Sequence, residues 1–383
     1  MRDYLLCLIV AATVTYVAVP MVRALAIKLN VVALVRARDV HTTPIPRLGG
    51  LAMLAGMCAA FAVASHLSLT SRVFQSSPVG RGLLLGAVLV AILGAIDDKF
   101  ALDAVTKIVG QVLIAAIVAG SGVQLLWIPA GGIVILDPIA SVGLTVLVIV
   151  LMMNAVNFID GLDGLAAGIC LIAGLAFLAY SYLLSVEFDF SRATLPALVS
   201  SVLAGVALGF LMHNWHPARI FMGDTGSMLL GLALATAAVT LTGYVEPTVL
   251  QGTRSALPAL LPLLLPVAVM AIPMLDLSLA VVRRARAGRD PFAPDKKHLH
   301  HRLLELGHSH RRAVALMYAW AALVAFTTVA LVFVPVWLVV ALASAGLIVL
   351  GVLVFRWNSE HSHQSDEQQP QSAPAHTNGD AHG

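Results

Sequence analysis

Charge is what this chain of 383 residues has least of. Asp, Glu, Lys and Arg together make up 11% of it, where a soluble domain is about a quarter charged. So few charges cannot cover the surface of a soluble protein of this length, which excludes a soluble Rossmann-type enzyme. Cysteine is also sparse: Cys7, Cys58 and Cys170 each lie in an apolar stretch, without metal-ligand spacing. That excludes a disulfide scaffold and leaves them as inert packing residues. There is no internal repeat, so the inverted-repeat plan of many transporters has no support. No small-residue cleavage site clearly follows the first apolar run, which is too long for a signal-peptide core. What fills the chain instead is hydrophobic residues, 59% of the total, with a mean hydropathy of +0.92. This is the composition of an all-α polytopic membrane protein and not of a disordered chain.

A spanning helix needs about 20 mostly apolar residues. About eleven stretches qualify: 4–27, 48–67, 82–96, 106–123, 139–158, 162–186, 195–212, 227–244, 257–282, 314–334 and 336–355. The third and fourth are short and contain glycine. Lysine and arginine divide sharply between alternate loops. One side holds Lys28, Arg36, Arg38, Arg47, Lys99, Lys107, Arg219, a basic run from Arg283 to Arg312, and Arg356. The other has only Arg2, Arg72, Arg81, Arg192 and Arg254. The positive-inside rule makes the first side cytoplasmic, with the N-terminus outside and the C-terminus inside. Residues 1–357 then form one integral membrane domain. Residues 358–383, rich in Ser, Glu, His, Gln and Pro, are expected to be a disordered cytoplasmic tail.

Ionisable groups at membrane depth are costly and are functional candidates by default. Here they cluster. Asp97 and Asp98 end the third span in G-A-I-D-D-K-F; Asn154, Asn157, Asp160 and Asp163 follow the fifth in N-A-V-N-F-I-D-G-L-D-G-L. Asp224 precedes the eighth in F-M-G-D-T-G-S, and His298, His300 and His301 sit in the basic loop D-K-K-H-L-H-H-R-L. With the orientation above, all fall on the cytoplasmic face. Carboxylates and carboxamides beside glycines suit a hard divalent cation, magnesium or manganese, that shares its ligands with substrate phosphates. The basic loop supplies phosphate partners. Together these describe chemistry on a diphosphate.

Asn154, Asn157, Asp160 and Asp163 recur every third residue, roughly one face of a helix, although Gly161 and Gly164 are expected to break or loosen its end. Asp97 and Asp98 are adjacent and so point about 100° apart on a helix. Different roles follow, one at the metal and the other accepting a proton. His298 and His301 also have a zinc-like spacing, but no cysteine stands beside them to complete a tetrahedral set. Lys296, Lys297 and Arg302 would repel a cation and attract an anion.

These motifs together resemble the polyprenyl-phosphate N-acetylhexosamine-1-phosphate transferases. The resemblance runs from about His41 to Arg312 and includes H-T-T-P-I-P-R-L-G-G, the aspartate pair, N-x-x-N-x-x-D-G-L-D-G-L-A-A-G, F-M-G-D-T-G-S and H-L-H-H. It implies an eleven-span, N-out fold. H-x-H-H among basic residues resembles the branch using UDP-GlcNAc; the branch using UDP-MurNAc-pentapeptide typically has three consecutive histidines. H-H-R-L-L-E-L-G-H-S-H-R-R resembles actinobacterial members, whose acceptor is usually decaprenyl rather than undecaprenyl phosphate. By motif position, the resemblance implies catalytic roles for Asp97, Asp98, Asp160 and Asp224, and magnesium ligation by Asp224 and Asn157 with Asp98 supporting. It implies substrate contacts from Asn154, Asp163 at the uracil edge, Phe221 stacking on uracil, Lys107 near the transferred phosphate, and His298, His300, His301 and Arg302. The partners implied are UDP-GlcNAc and a polyprenyl phosphate in the plasma membrane, with a homodimer also compatible.

The reaction expected is transfer of GlcNAc-1-phosphate from UDP-GlcNAc to the lipid phosphate, with loss of UMP, as the first membrane step of a cell-envelope glycan pathway. Two readings compete. One is the pentapeptide branch of the same superfamily. The other is a transporter of an anionic substrate, although here the charges lie at helix ends and not at the midplane. A CDP-alcohol phosphotransferase would carry D-G-x-x-A-R, and no arginine stands there.

Overall fold

The computed structural model describes residues 1–33, 44–75, 78–129, 133–187, 193–244 and 310–367, with isolated positions between 264 and 286. The described chain is almost wholly helical. In order come α1 (Arg2–Lys28), α2 (Gly49–Ala64), α3 (Ser71–Gln75), α4 (Val79–Phe100), α5 (Ala104–Gly120), α6 (Pro138–Ile159), α7 (Leu165–Glu187), α8 (Thr194–Asn214), α9 (Gly223–Tyr244), α10 (His310–Phe333) and α11 (Val336–Glu367). Seven of these are long and apolar enough to cross a membrane, and α2, α5 and part of α11 are shorter apolar helices. Every expected span except the ninth coincides with one of them. The ninth, 257–282, lies almost entirely outside the described residues.

The differences from expectation sit at the ends. The third span, expected over 82–96, runs as α4 from Val79 to Phe100. Its glycines meet neighbours instead of breaking it, and its terminal Asp97 and Asp98 find partners, so the helix continues through them. The sixth begins at Leu165, because Gly164 turns the chain with φ +78, a left-handed conformation open to glycine. Helix α11 keeps a helical backbone to Glu367, past the start of the expected tail at 358. Residues 368–383 lie outside the described residues. Two short antiparallel strand pairs were not expected: β1 (Val32–Ala33) with β2 (Ile45–Pro46), and β3 (Trp127–Pro129) with β4 (Ile133–Ile135).

Aspartate caps start two of the helices. Asp103 accepts from the Val105 and Thr106 N–H groups at the head of α5. Asp137 accepts from those of Ile139 and Ala140, with Pro138 at the first position of α6. The core centres on α9, whose apolar window is wholly buried and against which α2, α4, α6, α7 and α8 pack. Small residues make that possible. A Cβ on Gly50 would meet Gly226 N at 2.2 Å, and one on Gly94 would meet Thr225 Cα at 2.4 Å. Backbones at this distance leave no room for any side chain. The hydroxyls of Thr236, Thr240 and Thr242 bond to carbonyls of the preceding turn, so α9 buries them without unsatisfied groups.

Candidate active site

The same end of the bundle gathers the C-terminal ends of α4 and α6 and the N-terminal ends of α5 and α9. Asp98 is the first link. Its Oδ1 accepts from the Asp224 N–H at 2.9 Å, and its Oδ2 from the Thr225 N–H at 3.1 Å and Thr225 Oγ1 at 2.8 Å. The α4 carboxylate thus caps α9 from another helix. It satisfies donors that the first turn of a helix leaves open and places a negative charge at the positive end of the dipole. Gly223 makes this approach possible: φ is +68, and a Cβ there would meet Asp98 Oδ2 at 2.3 Å.

Asp97 does a different job. It is buried, and its Oδ1 accepts from the Leu102 N–H at 2.8 Å, tying the α4–α5 turn. Its Oδ2 pairs with Lys107 Nζ at 2.8 Å. The same ammonium reaches Asp224 Oδ1 at 2.5 Å, so Lys107 bridges the two motif aspartates. Asp224 Oδ1 also accepts from Asn157 Nδ2, which donates in addition to Ser227 Oγ at 2.9 Å. One oxygen of Asp224 is therefore the meeting point of α5, α6 and α9.

Asp160 caps the end of α6 beside this group. Burial pushes its carboxyl up to about 8, with the negative charges of Asp224 and Asp98 adding and Arg47 opposing. Asn154, one turn back along α6, donates its Nδ2 to Gln111 Oε1 at 2.7 Å and to the Val150 carbonyl at 2.8 Å. Asp163 is buried to the side, its Oδ2 accepting from the Ala218 N–H at 3.1 Å and lying 2.7 Å from His216 Nδ1. Phe221 is half-buried just before α9. Its N–H donates to the Pro46 carbonyl at 2.8 Å and its carbonyl accepts from the Gly49 N–H at 3.0 Å. The R-L-G-G motif is thereby docked on F-M-G-D-T-G. His298, His300, His301 and Arg302 lie outside the described residues.

Two groupings could hold a cation. Asp163, His216 and His310 bring ligand atoms within 4.8 Å of one another. Here, however, the rings of His216 and His310 stack at 4.2 Å, and Arg311 donates to the His216 carbonyl. Stacked rings do not converge their lone pairs, and a guanidinium beside them disfavours a cation. The other grouping suits magnesium better. Asp224, Asp160, Ser227 and the amide oxygen of Asn157 would all offer oxygen, and the carboxylates of Asp97, Asp98 and Asp224 alone outnumber the cations Lys107 and Arg47, with the proton of Asp160 free to be displaced by an ion. A hard divalent ion fits that donor set and that charge.

Sequence reasoning passed over several residues. Gln111, wholly buried on α5, stands one turn after Lys107 and was the only signal of its kind on that helix. Asn214 accepts from the Gly164 N–H and donates to the Ile220 carbonyl, both at 2.9 Å, and so fixes the loop leading to α9. Its adjacency to His213 and His216 at a helix end was the available clue.

Residues 81–242, which contain nearly all of this site, match the family model described as glycosyl transferase family 4. Decaprenyl-phosphate N-acetylglucosaminephosphotransferase of Mycobacterium leprae is 49% identical over 339 residues, spanning 87% of this chain and 85% of the relative. Undecaprenyl-phosphate alpha-N-acetylglucosaminyl 1-phosphate transferase of Yersinia pestis is 30% identical over 87% of each chain. Phospho-N-acetylmuramoyl-pentapeptide-transferase of Desulforudis audaxviator is 37% identical, over 60% of this chain and 74% of the relative. A match of this extent means that the chain belongs to glycosyl transferase family 4.

Proposed function

We propose that this protein is a magnesium-dependent phosphoglycosyl transferase that moves GlcNAc-1-phosphate from UDP-GlcNAc to decaprenyl phosphate, or its undecaprenyl counterpart, at the cytoplasmic face of the plasma membrane. The observation that carries the reading is the Lys107 ammonium bridging Asp97 and Asp224, with Asn157 on the same Asp224 oxygen. The names of the relatives and the longer span of the GlcNAc-type matches favour this branch over the pentapeptide branch.

Asp224 and Asn157 would hold magnesium, with Asp160 beside them. When bound, the ion neutralises diphosphate oxygens. Lys107 adds a fixed cation whose position is set from two sides. Asp97 orients that ammonium, and Asp98 holds the start of α9, so the Asp224 carboxylate stays at one place. An oxygen of the lipid phosphate attacks the sugar-linked phosphorus. The new phosphoanhydride forms as the bond to UMP breaks, and UMP leaves with the electron pair. One anhydride replaces another, so the step is near isoenergetic, and positioning with charge neutralisation supplies the catalysis. The acceptor phosphate is largely ionised at pH 7, its second pKa being about 6, so no strong base is needed.

The test uses purified protein in detergent with decaprenyl phosphate and magnesium, following UMP release from UDP-GlcNAc or UDP-MurNAc-pentapeptide. Release from UDP-GlcNAc alone, lost with chelator and reduced about 10³-fold or more in Asp224→Ala, is the expected result. Release only from the pentapeptide nucleotide would move the protein to the other branch. Release from neither, by folded protein, would overturn the transferase reading.

A further inference from the structure

The residues that meet at Asp224 have a second set directly beneath them. Lys107 on α5, Asp224 on α9 and Asn157 on α6 form the upper layer. One turn deeper on each helix stand Gln111, Met228 and Asn154, at offsets of four, four and three residues. These spacings keep each pair on one helix face. The lower three are also in contact: Asn154 Nδ2 donates to Gln111 Oε1 at 2.7 Å, and Gln111 Nε2 donates to Met228 Sδ at 3.1 Å. Gln111 and Met228 are wholly buried. The same three helices are therefore joined twice, once by charges and once by neutral polar groups.

We propose that Gln111, with Asn154, is a positioning pair for the transfer reaction: it sets the spacing of α5 and α6 across α9 and so holds Lys107 and Asn157 on Asp224. This rests on the functional reading above and deepens it. The physical reason lies in what each layer can tolerate. The upper layer has to open to substrate and lipid phosphate, whose charges compete for Lys107 and Asn157. A contact that is itself exchanged during turnover cannot keep the helices in register. The lower layer is neutral, and Gln111 and Met228 in it are shielded from solvent, with Asn154 half-buried against them. A buried carboxamide that loses its partner leaves unsatisfied groups in an apolar interior, so the pair stays made. A carboxylate in place of Gln111 would add another negative charge below Asp97 and Asp224, which explains why the amide suits this position.

The experiment exchanges a methylene between the partners. Gln111→Asn and Asn154→Gln singly make the pair too short and too long; together they restore its summed length. Gln111→Leu removes it. Each protein is assayed for UMP release with both substrates varied, and its melting temperature is followed by tryptophan fluorescence. The expected result is a loss of kcat of about 10- to 100-fold in Gln111→Leu and in each single exchange, with KM within about threefold. The double exchange recovers most of the loss. The melting temperatures of Gln111→Leu and Lys107→Met should also fail to add in the double variant, as expected for two coupled layers. Unchanged kcat in well-folded Gln111→Leu, or no recovery in the double exchange together with additive melting temperatures, would overturn the proposal. Wild-type turnover is measured in the same series, and its absence counts against the functional reading alone. The melting-temperature cycle then still decides whether the two layers are coupled.

Discussion

Helices α9 and α1 invert the rule of soluble proteins. Among the seven long spans α9 is the least apolar, yet its window is wholly buried; α1 is one of the most apolar, and only 22% of its window is buried. In water the apolar helix would go inside. In a bilayer, lipid is as apolar as leucine, so burial is decided by close packing and polar satisfaction. Helix α9 offers glycine, alanine and threonine, which let α2, α4 and α6 approach its backbone and satisfy its hydroxyls. Helix α1 offers Ile9, Val17 and Met21 to the outside. The chemistry goes with the interior helix, because only packed neighbours can hold carboxylates and an ammonium together.

The largest test of this contrast is at the charged end of α9. Lys107→Met leaves Asp97 and Asp224 facing each other without a cation, and kcat should fall about 10²- to 10³-fold in UMP release. Lys107→Arg should recover only part of it, since a planar fork does not replace a point charge between two carboxylates. Next comes packing. Gly94→Val drives a side chain into the Thr225 backbone, and the melting temperature should drop by an amount corresponding to about 1–3 kcal/mol or more.

A smaller effect is expected from Asp160. In metal-free protein its carboxyl holds a proton to about pH 8, whereas in the unfolded chain it loses it near pH ~4. Between those limits the folded state binds the extra proton, so stability falls as pH rises. Melting curves with chelator should show this slope, and Asp160→Asn should flatten it. An equal slope in the variant would mean that another group titrates. Smallest of all, Val17→Ala on the outer face of α1, where Val17 is 60% exposed, should change stability by less than about 0.5 kcal/mol. A large loss there would show that α1 covers more than lipid.

The span pattern was legible because a run of apolar residues long enough to cross a bilayer has few other uses. The helix break at Gly161 and Gly164 was legible from glycine alone. The grouping of Asp97, Asp224 and Asn157 was legible from motifs that share one end of their spans. Their individual roles were not. Asp97 and Asp98 are neighbours of identical chemistry, yet one pairs with Lys107 and the other caps α9. Asn154 and Asn157 look equivalent at three-residue spacing, yet one meets Gln111 and the other Asp224. Nothing local separates such pairs, because the partner sits on a different helix, from 10 positions away for Asp97 and Lys107 to 127 for Asp98 and Thr225.

By itself, then, the sequence determined the class of protein, the positions of the described spans and the grouping of aspartates and asparagines at one end of them, since hydropathy and motif order act through neighbouring residues. Tertiary structure alone decided which helix became the interior one, which aspartate meets the ammonium and which carboxamides pair below it. Those outcomes depend on how closely two backbones approach, and that distance is set by glycines and small side chains facing each other from helices far apart in the chain.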